Sequence, residues 1–242
     1  MQLFDKIAIV TGASSGIGKE FSRALIDKGA IVYGLARRSE KLSAVQNELG
    51  ESFRPVQMDV TDHDRLEQWT SDTFSANTHR PDILINNAGL AKFGEVDRMS
   101  LEDWHSMIDT NLNGIFYLTR LIVPLMKQHP DVCHIINISS IAGLLGNPEI
   151  SGYNASKFAV RGFSEALFKE LRYDGIKVSC MFPGSIATDF FKTAMDGDTH
   201  PNMMMPEDVA ATLIHLLETP DNHLINEVTM RPLNPKPPEN EA

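Results

Sequence analysis

Apolar positions along this chain follow two rhythms. Short continuous apolar runs, bounded by glycine, proline or amide residues, read as strands buried on both faces. They lie at 6–10, 31–36, 54–58, 82–85, 134–138, 177–182 and 223–230. Between them the apolar positions recur with the helical period, up to residue 28 and then over 40–49, 62–78, 100–129, 153–173 and 206–217. Gly29 and Gly175 stop two of these helices, and Pro220 stops the last, which opens on Pro206 with acids in its first turn. Ser100 followed by Asp103 resembles a capping box with Asp in place of Glu. Asn111 and Gly114 put two weak helix formers into one turn of the 100–129 helix, which predicts a kink or a functional carbonyl there, with a satisfied surface Asn as the alternative. Pro124 bends the same helix or starts a new turn. Alternating strands and helices imply an α/β fold: a doubly wound, mostly parallel, seven-stranded sheet with right-handed crossovers and helices on both faces. One domain over 1–232 is expected, with a proline-rich tail at 233–242 that frays. Residues 189–205 carry no period but hold Phe190, Phe191, Met195 and Met203 to Met205. This makes 185–206 a candidate lid, with simple loop packing as the alternative.

Two strand ends carry chemistry suited to a nucleotide. The first strand runs into Thr11-Gly12-Ala13-Ser14-Ser15-Gly16-Ile17-Gly18 and then a helix. Glycines let the backbone approach a pyrophosphate, and the helix N-terminus offers free N–H groups and a positive dipole end. A plain tight turn would use similar residues. The second strand ends in Ala36-Arg37-Arg38-Ser39, where an acidic residue would bond a ribose diol. A guanidinium suits a phosphate instead, so the pair points to NADP over NAD. A solvated basic loop is the alternative.

The segment from Asn137 to Lys157 holds the candidate acid/base chemistry. Tyr153 and Lys157 are four residues apart and share one helix face. A free phenol has a pKa of about 10, and a nearby cation favours the phenolate and lowers it. Ser140, at the end of the fifth strand, places a hydroxyl beside them to hold a substrate oxygen. By itself the Tyr–Lys pair equally describes a solvated helix face.

Bulk properties narrow the class. The chain has 242 residues, 42% hydrophobic and 22% charged, which fits one soluble domain of ordinary size. A net charge of −10 argues against sequence-independent nucleic-acid binding and against anionic membrane surfaces. No apolar stretch is long enough to span a bilayer, and the first residues lead into a strand without a signal-peptide pattern, so a cytoplasmic location is expected. Cys133 and Cys180 sit in apolar runs without metal-type spacing and read as buried free thiols; no metal is expected.

Taken together, these residues resemble the short-chain dehydrogenase/reductase family, over nearly the whole chain. Thr11-Gly12-(x)3-Gly16-x-Gly18, Asn86-Asn87-Ala88-Gly89, the set Asn111, Ser140, Tyr153 and Lys157, and Pro183-Gly184 with Thr188 match the family's motifs in order and spacing. The resemblance implies a Rossmann fold and alcohol–carbonyl interconversion with NADP(H). It implies that Tyr153 is the general acid in reduction and the base in oxidation. Lys157 lowers its pKa and binds the nicotinamide ribose, Ser140 orients the substrate oxygen in preference to Ser139, and Asn111 holds a water linking Lys157 to solvent. Gly12, Ser14, Ser15, Gly16, Ile17 and Gly18 would contact phosphates and ribose. Arg37 and Arg38 mark the NADP end, Asp59 and Val60 the adenine, Asn86 and Ala88 the ribose, with Gly89 of the same motif also on the cofactor, and Pro183, Gly184, Ile186 and Thr188 the nicotinamide side. The resemblance also implies a homotetramer, with a dimer as alternative, built on the helix after Tyr153 and the one over 100–129.

The substrate is less constrained. The sequence ending 206–232 departs from the glycine-rich ending of acyl-carrier-protein reductases. It is more similar to NADP-dependent serine or 3-hydroxy-acid, sepiapterin and farnesol or steroid dehydrogenases. Pocket-side candidates are Leu90, Ala91, Phe93, Leu144, Leu145, Asn147, Glu149, Phe190 and Phe191. They are mostly apolar, which favours a neutral alcohol, ketone or aldehyde. A hydroxy acid or serine is the alternative, with Lys92 or Lys192 gripping the carboxylate. A non-catalytic cofactor-binding scaffold is the rival from another class, and the intact Tyr153–Lys157 pair speaks against it.

Overall fold

The computed structural model describes residues 1–74, 80–190, 199 and 201–234. Its strands are β1 (Ile7–Thr11), β2 (Ile31–Ala36), β3 (Phe53–Gln57), β4 (Ile83–Asn86), β5 (Cys133–Ile138), β6 (Ile176–Pro183) and β7 (Glu227–Met230). They form one sheet in the order β3-β2-β1-β4-β5-β6-β7, and every pairing is parallel, so the expected sheet is met without an antiparallel strand. The helices are α1 (Gly16–Asp27), α2 (Ser39–Leu49), α3 (His63–Thr73), α4 (Leu101–Ile108), α5 (Gly114–Met126), α6 (Ser151–Leu171) and α7 (Pro206–Glu218).

Strand alternation sorts the core into two layers. Ala8 and Val10, Ile83 and Ile85, and Ile136 and Ile138 face α1, α2 and α7, where Phe21, Leu25, Leu42, Leu213 and Leu217 cover them. Ile9, Leu35, Leu84, Ile135 and Val178 face the other way, onto Leu66, Leu118, Ile122, Leu167 and Leu171 of α3, α5 and α6. Each fully buried large side chain of this kind contributes roughly 1.5–3 kcal/mol relative to exposure. Because every strand runs in one direction, all the carboxyl ends meet along one sheet edge. The order reverses between β1 and β4, the position where doubly wound sheets open a crevice.

The predicted kink at Asn111 is a wide turn. Residues Asp109–Asn113 form a π-helical turn between α4 and α5, and the Gly114 N–H reaches back to the Asp109 carbonyl. Ser100 caps α4 by accepting from the Asp103 N–H at 3.0 Å. Pro124 stays inside α5 without ending it. Several boundaries differ from expectation. α3 stops at Thr73, with Phe74 as its C-cap, and 75–79 lie outside the described residues. α6 begins at Ser151, two residues before Tyr153, and β7 is confined to Glu227–Met230. Of the candidate lid, 191–198 and 200 lie outside the described residues. Its base is closed by a parallel bridge between Ile186 and Met204.

Candidate active site

A cleft of about 420 Å³ opens along the carboxyl ends of β1 to β6. At one end stands the glycine turn. Ser15 precedes α1 in extended conformation and makes no side-chain capping bond, so the first-turn N–H groups are left for a ligand. Gly12 has φ +69, and a Cβ there would come within 2.8 Å of Asn87 Nδ2; a Cβ on Gly18 would run into the Gly12 carbonyl oxygen. Close backbone approach is what a pyrophosphate needs. The turn is tied to β4 through Thr11, whose hydroxyl accepts from the N–H of Asn87 and of Ala88, both at 2.9 Å. Arg38 reaches over the turn and donates to Ser14 Oγ at 3.1 Å and Ser15 Oγ at 2.9 Å. Arg37 stands 4.0 Å from Asp59, largely exposed. Two guanidiniums, two serine hydroxyls and uncapped helix N–H groups form a donor set that fits the phosphates of a phosphorylated dinucleotide.

At the other end the Tyr153 ring is buried between Phe93 and Phe190, with centroids 6.0 and 6.2 Å away. One turn along α6, Lys157 donates to the Ile138 carbonyl at 2.9 Å, and its ammonium lies 5.7 Å from the Tyr153 ring centroid. Ser140 accepts from the Ala142 N–H at 3.1 Å and donates to the Pro183 carbonyl at 3.5 Å, with its hydroxyl on the side of the Tyr153 phenol. Ser139 is turned inward instead, donating to the Lys157 carbonyl. A Cβ on Gly89 would lie 3.2 Å from Asn111 Oδ1 and 3.6 Å from Lys157 Nζ, so these two groups flank that glycine. The Asn111 amide is committed to the Leu90 N–H and carbonyl and to Ser156 Oγ, which pins the loop after β4 to the π turn.

The electrostatics differ from the sequence expectation. Burial pushes the Tyr153 phenol up to about 12, with the Ser140 bond acting in the opposite direction. Burial also brings Lys157 down to about 8. In the chain by itself desolvation therefore outweighs any pull of the lysine on the phenol. The phenol is a proton donor across the neutral range.

Most of the expected residues line this cleft: Gly12, Ser14, Ser15, Gly16, Ile17, Gly18, Arg37, Arg38, Asp59, Val60, Ala88, Gly89, Leu90, Phe93, Ser140, Asn147, Tyr153, Lys157, Pro183, Gly184, Ile186, Thr188 and Phe190. Others stand apart. Asn86 is buried behind it, donating to Asn137 Oδ1 and Thr119 Oγ1, and its neighbour Asn87 takes the place on the cleft wall. Asn111 lies behind the Leu90 loop. Leu144 packs on the Ile115, Val160 and Phe182 cluster, and Leu145 is half exposed. Glu149 lines a second, polar depression with Lys92, Arg98 and Asp103, in which Lys92 pairs with Asp103 at 3.6 Å. Phe191 and Lys192 lie outside the described residues. Sequence reasoning missed Asn87, Thr110, Ala142 and Ile150 on the wall. Asn87 was recoverable, because strand alternation turns Asn86 to the same side as Leu84. The loop residues leave no periodic signal.

Comparison with known proteins agrees with this geometry. Residues 6–198 match the profile of the short chain dehydrogenase family. A 3-oxoacyl-[acyl-carrier-protein] reductase of Synechocystis is 38% identical over 231 residues, 89% of this chain and 90% of that protein. An uncharacterised oxidoreductase of Staphylococcus aureus is 34% identical over 96% of this chain and 99% of its own. Among solved structures, the closed form of a serine dehydrogenase complexed with NADP+ superposes with a TM-score of 0.87. It is 35% identical and covers 93% of this chain and 94% of that one.

Proposed function

The chain belongs to the short chain dehydrogenase family and is an oxidoreductase of it, and within that family we propose an NADP-dependent alcohol dehydrogenase or carbonyl reductase. One observation carries the reading. A single cleft joins a Ser14–Ser15–Arg38 donor set at one end to Tyr153, Ser140 and Lys157 at the other.

When bound, the nicotinamide cofactor supplies or accepts the hydride. The residues of the chain hold it and handle the proton. The α1 N-terminus and glycine turn take the pyrophosphate, and Arg37 and Arg38 with Ser14 and Ser15 take the ribose phosphate. Asp59 and Val60 line the adenine end; Asn87, Ala88 and Lys157 take the second ribose; Ile186 and Thr188 take the carboxamide. Ser140 accepts from the Ala142 N–H and donates only weakly to the Pro183 carbonyl, at 3.5 Å, so a substrate oxygen can take over its proton and be polarised by it. Tyr153 then gives that oxygen its proton in reduction.

A neutral substrate fits best. Among the described residues, the cations lining the cleft are Arg37 and Arg38 at the phosphate end and Lys157 beside the phenol, and the substrate end is walled by Leu90, Phe93, Ala142, Ile150 and Phe190. The second reading is a serine or 3-hydroxy-acid dehydrogenase, favoured by the likeness to the NADP+-bound serine dehydrogenase. NADPH oxidation across ketones, aldehydes and 3-oxo acids separates the two. Tyr153→Phe should keep NADPH affinity and lose at least about 10²-fold in turnover; undiminished turnover would end the assignment of Tyr153. We further propose a homotetramer joined through α4, α5 and α6, on which Leu101, Phe116 and Phe158 are exposed. Light scattering on the purified protein should read four subunits.

A further inference from the structure

Asn154 follows the proposed acid Tyr153 in the sequence, points away from the reaction, and is only 7% exposed. Both of its amide protons are used. Nδ2 donates to the Ala142 carbonyl at 2.6 Å and to the Leu145 carbonyl at 2.8 Å, and Oδ1 accepts from the Asn147 N–H at 3.1 Å. The amide can sit only this way round, because a flipped group would set its oxygen against two carbonyls and its N–H₂ against an N–H.

Those three partners are the points that shape the substrate end. Ala142 is the residue whose N–H fixes Ser140 Oγ. Asn147 brings an amide to a cleft wall that it shares with the apolar Leu90, Phe93, Ile150 and Phe190. Leu145, between them, is half exposed. The loop's backbone supplies little else to hold it: Leu144 and Leu145 bond back to Ile141, and the Glu149 carbonyl accepts from Gly94. A rigid α6 thus reaches through one side chain to both walls of the substrate end.

We propose that Asn154 is a positioning residue that holds the 142–147 loop so that Asn147 reads a second polar group on the substrate, placing the preferred substrate among carbonyl compounds that carry a hydroxyl or amide near the carbonyl. The inference rests on the carbonyl reductase reading. Asn147 is exposed in the open cleft, so water satisfies its amide until a substrate covers it; a substrate hydroxyl replaces that water, whereas an analogue without one displaces it and leaves the amide unpaired.

The test uses 2-butanone and 4-hydroxy-2-butanone with the full-length enzyme and NADPH. Wild type should prefer the hydroxyketone in kcat/KM. Asn147→Ala and Asn154→Ala should each cut that preference about tenfold, mainly through KM, and the double variant should lose no more than either single one. Asn154→Ser, which keeps a donor and an acceptor, should recover part of it. NADPH affinity should stay at the wild-type value in all of them, which also shows that each has folded. Hydrogen exchange provides a readout free of substrate: the Asn147 amide should lose protection in Asn154→Ala while the α6 amides keep theirs. Losses equal for the two ketones, additive losses, or an Asn147 amide unchanged in exchange would overturn the proposal and leave the carbonyl reductase reading standing. Failure of wild type to reduce any carbonyl compound would remove both.

Discussion

Two buried groups, Tyr153 and Lys157, set the pH behaviour. With its pKa near 12 the phenol holds its proton at neutral pH and is ready to donate it. Alcohol oxidation needs the deprotonated form, whose fraction grows about tenfold per pH unit below the pKa. Oxidative kcat/KM should therefore climb from pH 7 to 10 while the reductive value stays level; an oxidative value that stays level while the reductive one falls with pH would mean that Tyr153 does not titrate in this way. Lys157 adds a stability signature. Its pKa is 10.5 in the unfolded chain and about 8 in the folded one. Below pH 8 both states hold the proton and stability does not depend on it. Between 8 and 10.5 only the unfolded chain holds it, so folding releases a proton and stability rises with pH. Relative to Lys157→Met, the wild type should gain on the order of 3 kcal/mol across that window. Urea unfolding of the cofactor-free proteins at several pH values reads the difference. A constant gap would show that the ammonium is not desolvated.

Strand ends, which the sequence marked by composition, are sorted by parity into those that line the site and those that support it. Asn86, Asn137 and Ser164 link β4, β5 and α6 in a buried chain of bonds of 2.8 and 2.9 Å, with Thr119 of α5 on its flank at 3.1 Å. Asn137→Leu keeps the volume but strips one of two bonds from each of two buried polar groups, Asn86 Nδ2 and Ser164 Oγ, at roughly 1 kcal/mol each. The midpoint of thermal unfolding should fall clearly while NADPH affinity changes little; a loss of affinity with stability intact would place the network in the binding site instead. The glycine turn behaves in the opposite way. A methyl at Gly18 meets the Gly12 carbonyl and the Asn87 amide, which is itself bonded to the Thr11 carbonyl, so Gly18→Ala should weaken NADPH binding by more than about tenfold with a modest change in stability. These elements also show why legibility was uneven. Apolar runs and caps report secondary structure directly, and Asn111 with Gly114 correctly flagged an irregular turn. Motif residues at strand ends could be placed because the sheet direction fixes which edge they reach. Leu144, Leu145 and Glu149 could not, since a loop's path depends on tertiary ties such as the Asn154 bonds, which leave no period to read.

The protein as a whole is strongly acidic, with net charge −10, yet the cofactor it is proposed to bind is a polyanion. Long-range attraction cannot bring the two together, so binding depends on local donors that are closer than the screening length of about 8 Å at physiological salt. Arg38 is held in place by Ser14 and Ser15, while Arg37 is free to swing and shares its charge with Asp59. NADPH differs from NADH by one phosphate, and a charge-assisted bond to that group is worth roughly 1.5–3 kcal/mol. Arg38→Leu should therefore cut the preference for NADPH over NADH by about 10- to 100-fold, measured as a ratio of kcat/KM values. Arg37→Leu should cut it less, because an exposed guanidinium already paired with a carboxylate gives up less on removal. Added salt should raise KM for NADPH more steeply than for NADH in the wild type, and the two slopes should converge once both arginines are gone. If the double variant kept the wild-type preference, discrimination would have to come from the shape of the Ser14–Ser15 turn, and the arginines at the end of β2 would be a solvated loop.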